Sequence, residues 1–294
     1  MAGKKANFRI ASRDLIAAAL LGPGPALDAA AQQLARFDAE NGQSSISGAD
    51  LRHLASEVMK AANPSIRLEL LHLLAQLSSP TAHSICAYGL PRVWEQAGHM
   101  ALAENISRDR SSEVQSHLTQ ALMDLEPEQQ RRLSEAWFES PNSSQRAIAA
   151  RLIVAYPASR ALQMLTTLSS DEQARVREAA VEALIDIAGS FPDDVTESLQ
   201  AMLETLDKHK LWVITRVVSR APLNHRLSYV INLLESLRDD IPEDRDIHRW
   251  VVSVLRALAR QHGNQPVQEA LDHWLKGEDT ILAEVAAEAL RRIA

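Results

Sequence analysis

The sequence predicts an all-α protein, a right-handed superhelix of antiparallel helix pairs with about seven repeats, on three observations. One amphipathic pattern recurs along the chain: the template Ser169 to Gly189 returns with its second positions at Ile66, Val114, Gln145, Val176, Leu211, Ile247 and Leu282, steps of 48, 31, 31, 35, 36 and 35 residues. Such a recurring step is the mark of a solenoid. Helix-breaking punctuation separates the copies at Asn63-Pro64, Ser140-Pro141, Tyr156-Pro157, Phe191-Pro192, Ile241-Pro242 and Gly263-Asn264. No alternating run is long enough for a sheet, and only 4% of residues are aromatic, so the core must be aliphatic.

The template supplies the helices in order. In it Val176, Ala180, Ala183, Leu184 and Ile187 form one apolar stripe, with Asp171 placed to serve the helix start and Gly189 to end it. Copies begin at Ser65, Glu113, Ser144, Lys210, Asp246 and Ile281, and between them Ala49 to Ala62, Glu128 to Glu139, Ala158 to Leu168, Asp193 to Asp207, Leu223 to Arg238 and Gln265 to Lys276 also have helical patterns. Each unit is therefore a helix pair. The long first step places an irregular or extra helix within Thr81 to Asn105, where Tyr88-Gly89-Leu90-Pro91 interrupts the pattern. Residues 1–47 are expected to form an N-terminal helical cap on a repeat solenoid spanning 48–294, with Asp38 to Asp50 as the linker.

Asp171, Val176, Arg177, Ala180, Ala183 and Leu184 resemble the HEAT repeat family, in the short bacterial form also found in phycobilisome-lyase-like proteins. Ile66-Arg67 with Leu70 and Leu74, and Arg146 with Ala149, are weaker copies of the same motif. The resemblance implies an armadillo-like superhelix whose second helices line the concave side. Gln115, Trp212, His248 and Ala283 stand where the motif has Arg, so a regular Asp-Arg ladder is not expected.

A net charge of -7 argues against a broad nucleic-acid footprint, which needs clustered Lys and Arg. One cysteine, Cys86, excludes an internal disulfide and suits a cytoplasmic chain. The run after Lys4, Lys5, Arg9 and Arg13 is too short for an export signal to be expected, and no segment is long enough to span a bilayer. Chemistry is sparse. Glu69 and His72 make half of a carboxylate-bridged metal motif with no second half. No His-Glu dipeptide, phosphate loop or nucleophile elbow occurs, and Gly22 to Pro25 have the composition of a loop between helices. No catalytic residue, metal or cofactor is called for.

The face opposite the stripe names the candidate site. Template positions four, eight and eleven give Glu178, Glu182 and Ile185, then Val213, Val217 and Arg220, then Arg249, Ser253 and Arg256, then Glu284, Glu288 and Arg291. Of these, Glu178, Glu182, Val213, Val217, Arg220, Arg249 and Arg256 are the partner-binding candidates. Leu211 to Val218 is apolar nearly all round, so it is either covered by its own chain or offered to a partner. The expectation is a non-enzymatic scaffold, binding a protein or peptide along the concave face or serving in a larger bacterial-type assembly. The alternative is a DNA-binding protein or HEAT-like alkylpurine DNA glycosylase, for which Trp212, Arg216, Arg220, Trp250, Arg256 and Arg260 supply aromatic and cationic groups.

Overall fold

The structure is a computed structural model that describes residues 2–41, 46–204, 208–222, 264–277 and 280–293, together with residues 252, 255 and 259. Among them are fifteen α-helices and no strand. In chain order they are α1 (Ala2–Leu21), α2 (Pro25–Asn41), α3 (Gly48–Ala61), α4 (Arg67–Ala75), α5 (Pro80–Gly89), α6 (His99–Ser107), α7 (Ser112–Met123), α8 (Pro127–Phe138), α9 (Ser143–Leu152), α10 (Ala158–Leu168), α11 (Ala174–Ala188), α12 (Pro192–Glu204), α13 (Lys208–Arg220), α14 (Asn264–Lys276) and α15 (Thr280–Ile293). The expected all-α solenoid of helix pairs is borne out. The copy beginning at Asp246 lies outside the described residues.

By compactness the chain divides into Met1–Leu152 and Ile153–Ala294. In the first unit α1, α3, α5, α7 and α9 pack in succession as one layer, and α4 and α6 pack side by side across from it. One continuous aliphatic core runs from Ala11 of α1 to Leu152 of α9, so α2 and α1 share it with the repeats that follow. In the second unit α11 packs on α13, α10 on α12, and α14 on α15.

Helix starts follow ordinary capping chemistry. The hydroxyls of Ser47, Ser79 and Ser111 accept from the backbone amides of Asp50, Ala82 and Val114, and Pro25, Pro80, Pro127 and Pro192 occupy first helical positions where an amide would have no partner. The turns into the repeats share a further device. Gln115 Nε2, Arg146 Nη1 and Arg177 Nη1 each donate to the carbonyl six residues upstream, on Asp109 at 2.8 Å, Ser140 at 2.7 Å and Asp171 at 2.6 Å. Gln115, which departs from the Arg of the motif, thus performs the same task with a shorter side chain.

The long first step has a structural cause. The copy beginning at Ser65 is α4, which lies in the layer of α6, whereas the next copy, α7, lies in the layer of α3 and α5. The step of 48 residues is therefore about one and a half repeats, and α5 and α6 fill the irregular segment. Cys86 in α5 is fully buried and its thiol donates to the Leu71 carbonyl; burial pushes that thiol well above its usual range, so it is core and not a nucleophile.

His83 of α5 is an ionic staple. Its Nδ1 pairs with the Asp109 carboxylate and its Nε2 lies 3.2 Å from the Ala75 carbonyl, so both ring nitrogens face acceptors, the arrangement that suits the imidazolium. Burial pulls the His83 pKa down, but bonding and attraction to Asp109 outweigh it and leave the group raised. Burial pushes Asp109 up, and the bond from His83 outweighs that in turn and leaves it lowered. A raised histidine contributes stability that is complete below its unfolded value of about 6.5 and fades as pH rises through the folded value; a lowered aspartate contributes above about 3.9. The stability gap between wild type and His83→Gln, measured by thermal melting, is therefore expected to be widest between those two values, near pH 5.5, and to narrow by pH 9. A gap independent of pH would refute the charged staple.

Candidate nucleic-acid groove

A depression in the first unit lies across α3, α5 and α7, three successive members of one layer. It has a volume of about 950 Å³ and is lined by Arg52, His53 and Ser56 from α3, by Tyr88, Pro91 and Arg92 at the end of α5, and by His117, Gln120 and Asp124 from α7 and its C-cap, among others. The gap arises because α5 stops early. Gly89 sits where a Cβ would come within 2.9 Å of Leu71, and Pro91 follows in a 3-10 turn over Leu90–Val93. The middle helix of the three therefore ends short, and its neighbours extend past it.

Tyr88 is the floor. Its ring is buried, its hydroxyl donates to Gln120 Oε1 at 3.3 Å, and its face lies 5.1 Å from the Arg52 guanidinium carbon. Burial pushes its phenol up against the opposing pull of Arg52. The His117 ring stands 5.0 Å from the Tyr88 ring, with Nδ1 2.9 Å from Ser84 Oγ. Burial pulls His117 below its ordinary range, and nearby Arg52 acts the same way against Glu113, so the imidazole is neutral at pH 7. Gly48 has a specific part here, since a Cβ on it would meet His117 Nε2 at 3.0 Å and the Tyr88 hydroxyl at 3.3 Å. Arg92 is exposed and donates to Ser56 Oγ at 3.0 Å, while Arg52 and Asp124 are exposed on the same rim. Two cations, two imidazoles, one aromatic floor and one carboxylate thus share a cavity in a chain whose net charge is -7.

The residues expected to bind a partner fall differently. Val213 and Val217 are fully buried, so the apolar row is core and the expectation that it meets a partner is corrected. Leu211, Ile214 and Val218 are buried too, and α13 is covered on both sides by its own chain, with α11 and α12 among its neighbours. Its open side carries Trp212, Arg216 and Arg220 instead. Glu178, Glu182 and Arg220 do come together: Arg220 reaches Glu182 at 2.5 Å and Glu178 at 3.6 Å, a bridge between α11 and α13. Trp212 is half-buried, with the Arg177 guanidinium at 5.5 Å and that of Arg216 at 5.2 Å. Arg249 and Arg256, with Trp250 and Arg260, lie outside the described residues. Among the described residues no group of three metal-ligating side chains converges, and no helix is long and apolar enough to cross a membrane.

HEAT repeats are matched by their family profile over residues 130–221, which bears out the resemblance there. No curated protein matches the sequence. Among solved structures, AlkD2 from Streptococcus mutans is 18% identical over 65% of this chain and 98% of its own, with a TM-score of 0.57. The protein smu.31 from Streptococcus mutans UA159 is 19% identical over 64% of this chain and 96% of its own, with a TM-score of 0.53. At such identities the likeness is one of fold. Because this architecture is shared with AlkD2, it does not speak for a chain without catalysis, and the expectation of a non-enzymatic chain is corrected on that finding.

Burial of Val217 makes a direct prediction. Val217→Asp places a charge in an aliphatic core and is expected to lower the unfolding free energy by at least about 3 kcal/mol, whereas Arg216→Asp on the open side changes it by about 1 kcal/mol or less. Denaturant titrations of both variants check this; equal small losses would mean that α13 turns its valines outward.

Proposed function

We propose that this chain is a DNA-binding HEAT-repeat protein that excises alkylated purine bases, with the groove across α3, α5 and α7 as its nucleic-acid site. The observation that carries the reading is the gathering of Arg52, Arg92, Tyr88, His117 and Asp124 around one cavity of about 950 Å³. That volume suits a nucleotide, since small-ligand sites run from about 300 to 1,000 Å³. Likeness in fold to AlkD2 supports the same reading.

Each group has a task in that chemistry. Arg52 and Arg92 neutralise backbone phosphates, and the half-buried His117 ring, backed by the buried Tyr88, offers a π face to a base. A purine alkylated on a ring nitrogen is already cationic, so the glycosidic electron pair leaves with it and the base departs neutral without a general acid. Water then adds to the sugar carbon, and the carboxylate of Asp124 stabilises the cationic sugar and accepts the water's proton. A DNA target goes with a cytoplasmic chain. With only two groove arginines set against an acidic chain, affinity is modest and confined to this face.

Fluorescence anisotropy with a duplex, at salt concentrations from 50 to about 200 mM, tests the binding step. Each neutralised phosphate contributes about -0.9 to the slope of log affinity against log salt, so Arg52→Glu/Arg92→Glu is expected to reduce the slope by about 2 and to weaken binding at least ten-fold. Release of methylated purines from alkylated DNA tests the chemistry. Asp124→Asn is expected to slow release by about 10²-fold while duplex affinity stays. A wild-type chain that neither binds duplex nor releases base overturns the proposal.

A further inference from the structure

We propose that two copies of this chain associate through the outward face of α1, the two helices packed antiparallel about a two-fold axis. Through Ala11, Leu15, Ala18 and Ala19, α1 is buried in its own core, against α2 and α3. The other side carries Ile10, Arg13, Asp14, Ala17, Leu20 and Leu21, all exposed. Ile10, Leu20 and Leu21 are 56%, 67% and 78% exposed, three of the five large hydrophobics left open among the described residues. A shallow depression of about 400 Å³ lies on this side, between Ile10 and Leu20.

The spacing identifies what fits there. Ile10, Ala17, Leu20 and Leu21, with Arg13 and Asp14 between them, share one face of the helix, an apolar strip with a charged centre that another helix can cover. With a two-fold axis on the outward face at the height of residue 15, the face is its own complement: Ile10 meets Leu20 of the second copy and the small Ala17 meets Arg13. Each Arg13 then lies within a turn of Asp14 on the second copy. Neither residue has an ion-pair partner among the described residues, so each can supply the other's. A parallel pairing would set Arg13 against Arg13. A lipid surface would have to bury Arg13 and Asp14 in mid-face, so a second copy is the better occupant. A helix of twenty residues is about 30 Å long and covers a strip on the order of 300 Å². Stable interfaces use about 800 Å² a side, so this dimer is weak and depends on concentration.

Sedimentation equilibrium from micromolar to millimolar chain tests it. The expected mass rises from that of one chain, 32.4 kDa, toward that of two and no further. Leu20→Asp/Leu21→Asp, both at exposed positions, is expected to weaken association at least ten-fold with the melting curve kept. Arg13→Asp and Asp14→Arg are each expected to weaken it, and the double exchange to restore it. A single-chain mass at every concentration overturns the proposal. So does association that grows beyond two copies, or that the double exchange fails to restore.

Discussion

The carbonyl six residues ahead of the fourth helical position of α7, α9 and α11 lies in a half-buried turn between two packed helices, where a donor from the chain itself can fix the turn. Gln115, Arg146 and Arg177 each supply one from the helix that follows. Such a bond contributes about 1 kcal/mol net, so each one favours a single geometry of its turn. That geometry sets the angle at which one helix of a pair returns over the other, and the aliphatic stripes then meet. Hydrophobic burial supplies the bulk of the stability, and the bonded turns decide which stripe faces which.

One turn is held by other means. Where the chain enters α5, the carboxylate of Asp38 in α2 accepts from Ser79 Oγ at 2.5 Å, from the Thr81 amide at 3.0 Å and from Thr81 Oγ1 at 2.5 Å. Tying the turn from outside frees α5 from the length of the regular repeat. It ends at Gly89, and Pro91 prevents it from continuing. The groove is thus a local failure of repetition, framed by helices on either side that keep the rule. An extended repeat face has no chemistry of its own, so a break in it is where different residue types can be drawn together.

Most of the fold was legible in the sequence because a repeat restates its signal. Helices from α7 to α13 and α15 stand where the template places them, and the six-residue relation is visible in Arg146 and Arg177. Two errors have physical causes. The copy at Ser65 matched the template's apolar pattern while lying in the other layer, since both layers bury aliphatic stripes and periodicity alone does not tell them apart. Val213 and Val217 were placed on the open face because the template was phased on a helix buried along one stripe, whereas α13 is covered nearly all round. The groove was missed for a third reason. Its residues come from three helices, and a chain-wide charge of -7 hides two arginines on one rim; the interruption at Tyr88-Gly89-Leu90-Pro91 was the only local sign.

The two clusters of arginine and aromatic side chains differ in a way that composition does not show. Around Trp212, Arg220 is spent on Glu178 and Glu182, and Arg177 turns its guanidinium to the carbonyls of Asp171 and Glu172. Arg216 is the cation left beside the indole with the most access to water. Around Tyr88, Arg92 has only the neutral hydroxyl of Ser56, and Arg52 lies against a ring face. Neither arrangement cancels the charge, so the field of both guanidiniums reaches the cavity. A polyanion responds to uncancelled charge and not to the number of arginines, and exposed ion pairs are already close to neutral at the distance of a docking phosphate. In an acidic protein the cations that matter are therefore those without a carboxylate partner, which sets the Tyr88 groove ahead of the Trp212 cluster as the place where DNA would dock.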